Sequence, residues 1–194
     1  MQAQAEALLT LAHEQGFPFW GAMATILHGW TLMAQGQEAV GVTQMHQGLA
    51  AYQATGAAMG QTYLRALLVE GYGNVGQVDT GLRLLAEILA EVESTGERMW
   101  EAEIHRLQGT RLLRQDTADE PQVEACFQTA LAIAYQQQAR SLELRAAVSL
   151  SRLWQQQGRR AEAYELLAPV YNWFTEGFDT ADLQEAKVLL AALS

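Results

Sequence analysis

The strongest constraint on this chain is that it repeats itself about every 40 residues. Gly16, Gly56 and Gly96 close three successive segments, Gln138 takes the same place after two extra residues, and Gly177 falls near a fifth. Twenty residues after each of the first four lies a second marker: Gly36, Gly76, Asp116 and Gly158. A fixed period of this length marks stacked supersecondary units, none of which can bury its apolar face without a neighbour.

Between the markers, apolar residues recur at spacings of three and four, which places them on one stripe of a helix, and strand-like alternation is absent. The sequence predicts an all-α fold of stacked antiparallel helix pairs. Helix A is expected over 19–35, 59–75, 99–115 and 142–157, and helix B over 38–55, 78–95, 123–137 and 161–175. Residues 2–15 read as an orphan helix B, and 180–193 as a closing helix A. The expected organisation is one domain over 1–194, with a partial repeat at 1–16, repeats at 17–56, 57–96, 97–138 and 139–177, and a capping helix at 178–194.

Two columns of small residues mark where paired helices should approach closely. In helix A these are Gly29, Gly109 and Ser151, with Val69 as the exception; in helix B they are Gly41, Gly81 and Ala163, with Val123 as the exception. Leu32, Tyr72, Leu112 and Trp154 follow the first column, and Met45, Leu85, Phe127 and Leu167 the second. Internal glycine costs roughly 1 kcal/mol in a helix relative to alanine, so its recurrence predicts packing that repays the cost. Pro121 suits the first turn of a helix, and Asp179 or Thr180 is expected to cap the closing helix.

Composition narrows the function classes. Hydrophobic residues form 49% of the chain, enough for a packed interior. The formal charge of −10 argues against nonspecific binding to nucleic acid or to an anionic membrane surface. Cys126 is the single cysteine, so no intrachain disulfide is available, which fits a cytoplasmic setting. No stretch approaches the length of an apolar membrane span, and residues 1–6 lack the pattern of a secretory signal.

The small residue of helix A, the large residue three later, the glycine turn and the spacing of helix B together resemble the tetratricopeptide repeat, in its long-helix form. The stretches Gly16-Phe17-Pro18-Phe19-Trp20, Thr95 to Glu103, Glu124-Ala125-Cys126-Phe127 and Leu153 to Gly158 are similar to the carboxy-terminal repeats of bacterial signalling ATPases. Many of those proteins carry an adenylate or guanylate cyclase domain. The resemblance implies a right-handed superhelical stack of antiparallel helix pairs that serves as a non-catalytic regulatory or protein-binding scaffold, cut from a larger signalling protein. A chain that opens inside a repeat agrees with this. The alternative it implies is a sensor that binds a small anionic or sugar-like ligand.

Gly71-Tyr72-Gly73-Asn74-Val75-Gly76 matches the glycine pattern of a nucleotide loop, but it closes a helix rather than following a strand, and Gly76 is one of the turn markers. His13, His28, His46 and His105 lack the helical spacing of metal ligands, and Cys126 has no neighbouring base. No enzyme activity, cofactor or metal is expected.

The A helices carry the candidate binding residues. By analogy with the repeat family they should line a concave groove, in which Met23, Ile26, Trp30, Met33 and Tyr63 form an apolar floor; helical spacing favours the alternative that Trp30, Met23, Met33 and Tyr63 are an inner wall packed as core between adjacent repeats. Glu70, Asn74, Glu103, Thr110 and Gln156 add polar positions, and Arg106, Arg114, Arg145 and Arg152 a row of guanidinium groups suited to carboxylates; the alternative is that Glu103 with Arg106, or Arg145 with Glu143 and neighbouring repeats, form ordinary solvated pairs. The expected partner is a protein or peptide, an acidic one being suited to the arginines, or another domain of the parent protein. Neither nucleic acid nor membrane is expected as a partner. The open amino-terminal face of the orphan helix offers a route to oligomerisation.

Overall fold

The computed structural model describes residues 2–115 and 117–194; Met1 and Asp116, the expected marker of the third repeat, lie outside the described residues. Among the described residues there are ten α-helices and no strand. They are α1 Gln2–Glu14, α2 Pro18–Ala34, α3 Glu38–Ala54, α4 Gln61–Asn74, α5 Val78–Thr95, α6 Glu101–Leu112, α7 Glu120–Gln136, α8 Arg140–Gln156, α9 Arg160–Asn172 and α10 Ala181–Leu193. Each coincides with an expected helix to within about three residues. The largest trims, three residues each, are at the ends of α6, which stops at Leu112, and α9, which stops at Asn172; α4 starts two residues late, after the left-handed Gly60.

The joints explain the period. Gly16, Gly36, Gly56, Gly76, Gly96, Gly158 and Gly177 all have positive φ. At five joints the amide after the left-handed residue donates five positions back: Phe17 to Ala12, Gln37 to Leu32, Gln77 to Tyr72, Ala139 to Ala134 and Arg159 to Trp154, at 2.8–3.0 Å. This closure satisfies carbonyls that a helix end otherwise leaves bare. At the fourth of these joints the left-handed residue is Gln138, with φ of 54°, the non-glycine residue that the repeat register singles out. Thr180 is the backbone cap of α10, but its hydroxyl donates to the Gly177 carbonyl at 2.7 Å and makes no capping bond; the expected side-chain cap is therefore replaced by a bond that tightens the preceding turn.

The fold divides into two compact units at the joint between the second and third repeats, Met1–Gly96 and Glu97–Ser194. In the first, α1 packs on α2, α2 on α3, α3 on α4 and α4 on α5, while α2 also touches α4 and α3 does not touch α5. In the second, α6, α8 and α10 touch in sequence, while the backbones of α7 and α9 stand further apart and share only side-chain clusters such as that of Val123, Phe127 and Leu166. Within each unit the A helices thus form the closer layer, and the B helices diverge behind them. The A side is the narrower one.

The small-residue columns are the reason the hairpins close so tightly. A Cβ on Gly29 would sit 2.7 Å from the Gly41 carbonyl oxygen, and one on Gly41 would sit 2.5 Å from that of Gly29. In the fourth repeat Ser151 fills the same role and donates its hydroxyl to the Ala163 carbonyl at 3.1 Å. Behind each contact stands the large residue of the helix B column: Met45, Leu85, Phe127 and Leu167 are all at most 2% exposed. The first unit buries Ile26, Met33, Met45, Tyr52 and Leu68 in one cluster; in the second, α8, α9 and α10 share another around Leu144, Leu167, Leu183 and Leu189.

Candidate functional site

In the first unit the A face is built around Trp30. Met23, Trp30 and Tyr63 are half-buried and pack against the core cluster, so each presents one side to it and another outward. The Trp30 indole N–H donates to Glu70 at 3.4 Å, joining α2 to α4. Asn74 ends α4 and is exposed. Ile26 and Met33, expected beside them in the groove, are instead core residues at 0% and 5% exposure. The three-and-four spacing of an apolar stripe does not distinguish its buried centre from its rim, and both residues sit at the centre. Met33 also reaches the space in front of Gly71, where a Cβ would come within 2.5 Å of its sulfur.

That contact also settles the glycine pattern around Tyr72. Gly71 and Gly73 are buried inside α4, and Gly76 is the left-handed turn residue, so packing and helix closure account for all three. The arrangement offers no backbone cradle for a phosphate.

Of the four expected arginines, Arg106 and Arg145 are brought together, and the residue that gathers them is Glu103. It is 4% exposed. Arg106 grips it with two parallel bonds, Nε at 2.9 Å and Nη2 at 2.8 Å, and Arg145 reaches it from α8 at 3.0 Å. A carboxylate this deeply buried requires such charge-assisted partners. Arg145 also faces Asp182 of α10 at 3.9 Å, and Arg152 pairs with Glu185 at 2.7 Å. Between these groups lies a cleft of about 80 Å³, walled by Arg106, Arg145, Ser149, Asp182 and Glu185 over an apolar floor that includes Val148. Arg114 and Gln156 are exposed and do not line it, and the Thr110 hydroxyl turns back to the Arg106 carbonyl at 2.9 Å.

Sequence reasoning missed Asp182 and Glu185 as partners of the arginines. They stand one residue ahead of Leu183 and Ala186, two residues of the buried stripe of α10, and that flanking register was the available signal. Their carboxylates match Arg145 and Arg152, so the A face of the second unit carries paired charges rather than a row of cations.

Elsewhere the reactive residue types have structural surroundings. Burial pushes the Cys126 thiol above its ordinary range, which works against a thiolate, and its Cβ lies against Gly109. His105 is held below the usual imidazole value by burial. His46 bonds the Tyr72 hydroxyl at 2.5 Å, and His28 bonds Gln44 at 3.1 Å with Glu6 nearby. Among the described residues no group of three histidine, cysteine or acidic side chains is placed to hold a metal, and no helix is long and apolar enough to cross a membrane.

No family model and no curated protein matches the sequence. Solved structures do. The crystal structure of the nearly identical TPR-like repeats of a Podosopora anserina kinesin light chain superposes with a TM-score of 0.63 at 20% identity, covering 88% of this chain and 84% of that one. A variant of the same protein with one glutamine replaced by methionine gives 0.64 at 18% identity over the same shares. The fold is that of TPR-like repeats. At this identity the likeness concerns the fold alone, and it accords with the helix pairing and glycine joints described above.

Proposed function

We propose that the chain is a non-catalytic protein-interaction module, a regulatory scaffold within a larger bacterial signalling protein of the ATPase or cyclase kind, working in the cytoplasm. Stacks of helical hairpins offer extended surfaces to a partner and need no chemistry of their own. The observation that carries the proposal is the half-buried trio Met23, Trp30 and Tyr63 on the A face of the first unit, with the indole fixed by Glu70. Tryptophan and tyrosine held in place by their own packing lose little freedom on binding, and they dominate the energetics of many interfaces. An apolar anchor of a partner helix or extended segment would rest on these rings, with Glu70 and the exposed Asn74 at the rim. Arg106, Arg145 and Arg152 of the second unit already have carboxylate partners, so the apolar face of the first unit bears the proposal.

The test is affinity capture from the source cytoplasm with the wild-type chain, repeated with Trp30→Ala, Tyr63→Ala and a control on the exposed back of α3, Gln47→Ala. A specific partner should survive the control and be lost, by about tenfold or more in affinity, with either aromatic variant, both variants keeping their helical circular dichroism. A partner retained equally by all three variants would refute the proposal.

A further inference from the structure

We propose that the cleft in the second unit is a binding site for a small dipolar molecule, of the class of a free α-amino acid. The proposal is independent of the partner-binding face, which lies in the other unit.

The charges around the cleft decide the ligand class. Arg106, Arg145 and Arg152 are set against Glu103, Asp182 and Glu185, three positive groups and three negative ones. A lone anion entering the cleft would face Asp182 and Glu185, and a lone cation would face Arg106 and Arg145. A molecule carrying both signs a few ångströms apart satisfies both walls. Its carboxylate lies towards the guanidinium wall, and its ammonium lies towards the two carboxylates of α10.

Both walls are fixed before any ligand arrives. Buried Glu103 holds Arg106 in a bidentate grip and Arg145 at 3.0 Å. On the other side Leu183, Ala186 and Leu189 lock α10 into the core, which sets the register of Asp182 and Glu185. The Ser149 oxygen, whose proton goes to the Arg145 carbonyl at 2.9 Å, presents its lone pairs near Arg106 at 3.5 Å. The contact between Arg145 and Asp182 is the long one at 3.9 Å, beyond a hydrogen bond. It is the contact a dipolar ligand exchanges most cheaply. Val148 beneath is 5% exposed and supplies an apolar floor, on which the α-carbon of such a ligand would rest between the two charged walls.

The experiment titrates the intact chain with L-alanine, glycine and L-serine, and with propionate and ethylamine as half-ligands, following the thermal midpoint and calorimetric heat. Saturable stabilisation by at least one of the amino acids at millimolar concentration is expected, with neither half-ligand reproducing it. Arg145→Gln and Asp182→Asn should each weaken binding by about tenfold or more, while Arg83→Gln in the first unit should not. Glu185→Gln gives a second reading of the acidic wall should Asp182→Asn unfold. The proposal is overturned if no amino acid stabilises the wild type, if propionate stabilises it as well as L-alanine does, or if folded Asp182→Asn and Glu185→Gln bind as the wild type.

Discussion

The Trp30 indole reaches Glu70 at a sequence separation of 40, which is the repeat length itself. The two residues occupy equivalent places on successive A helices, so the bond is a rung between repeats rather than within one. Trp30→Phe should remove the donor and leave the ring. A loss of about 1 kcal/mol in urea unfolding is expected, since a hydrogen bond to a charged group contributes somewhat more than a neutral one and this one is long and only partly buried. No change in unfolding midpoint would mean that the rung contributes nothing.

The paired glycines make a sharper prediction. Gly29→Ala drives a methyl group to 2.7 Å from the Gly41 carbonyl, and the hairpin must open to admit it, at a cost of roughly 1–3 kcal/mol. Gly81→Ala meets only ordinary contacts at 3.7 Å, because its opposite number is Val69 and the helices there stand further apart. That substitution should stabilise by up to about 1 kcal/mol through helix propensity. Opposite signs in parallel denaturation curves are the expected result.

Gln138 holds a left-handed conformation that costs an L-residue roughly 1–2 kcal/mol, part of which glycine returns through its freer unfolded chain. Gln138→Gly is therefore expected to raise stability by roughly 0.5 kcal/mol, read as a higher urea midpoint. A lower midpoint would show that the glutamine side chain contributes more than its backbone strain removes.

Glu103→Gln leaves two arginines facing a neutral amide in a site that is almost closed to water. Breaking a buried pair from one side costs about 3–5 kcal/mol, whereas Arg152→Gln, at a pair that is 55% and 39% exposed, should cost under about 1 kcal/mol. Comparable losses from the two variants would show that Glu103 is solvated in solution.

His105 gives a pH dependence of definite sign. Burial lowers its folded-state pKa below the ordinary 6.5, so on acidification the unfolded chain takes up the proton first. The contribution of neutral His105 is complete above pH 6.5 and is lost as the pH falls below it. Urea midpoints recorded between about pH 7.5 and 5 should decline, and His105→Gln should flatten that part of the decline. An unchanged slope in the variant would assign it to other groups.

The helices and their joints were legible because both are local: a stripe needs four residues to declare itself, and a left-handed stop needs one. Even Gln138 could be placed, since the register pointed to it where its residue type did not. The partners of the arginines were hidden for the opposite reason. Asp182 and Glu185 reach Arg145 and Arg152 only after α10 has folded back on α8; the register beside Leu183 and Ala186 marks their face of α10 but does not say which side chains of α8 they meet. Ile26 and Met33 were misplaced by a smaller effect, the one-residue rotation that separates the rim of a helix face from its centre. The Thr180 hydroxyl found a nearer carbonyl than the amides it was expected to cap.

The five joints closed by a bond five positions back hold their geometry in the main chain. The residue after the left-handed one is phenylalanine, glutamine, alanine or arginine, and the closure is the same each time. Side chains at these corners can therefore be exchanged without altering how one helix hands on to the next, so a lineage could redecorate the outside of each unit while its internal stacking stayed constant.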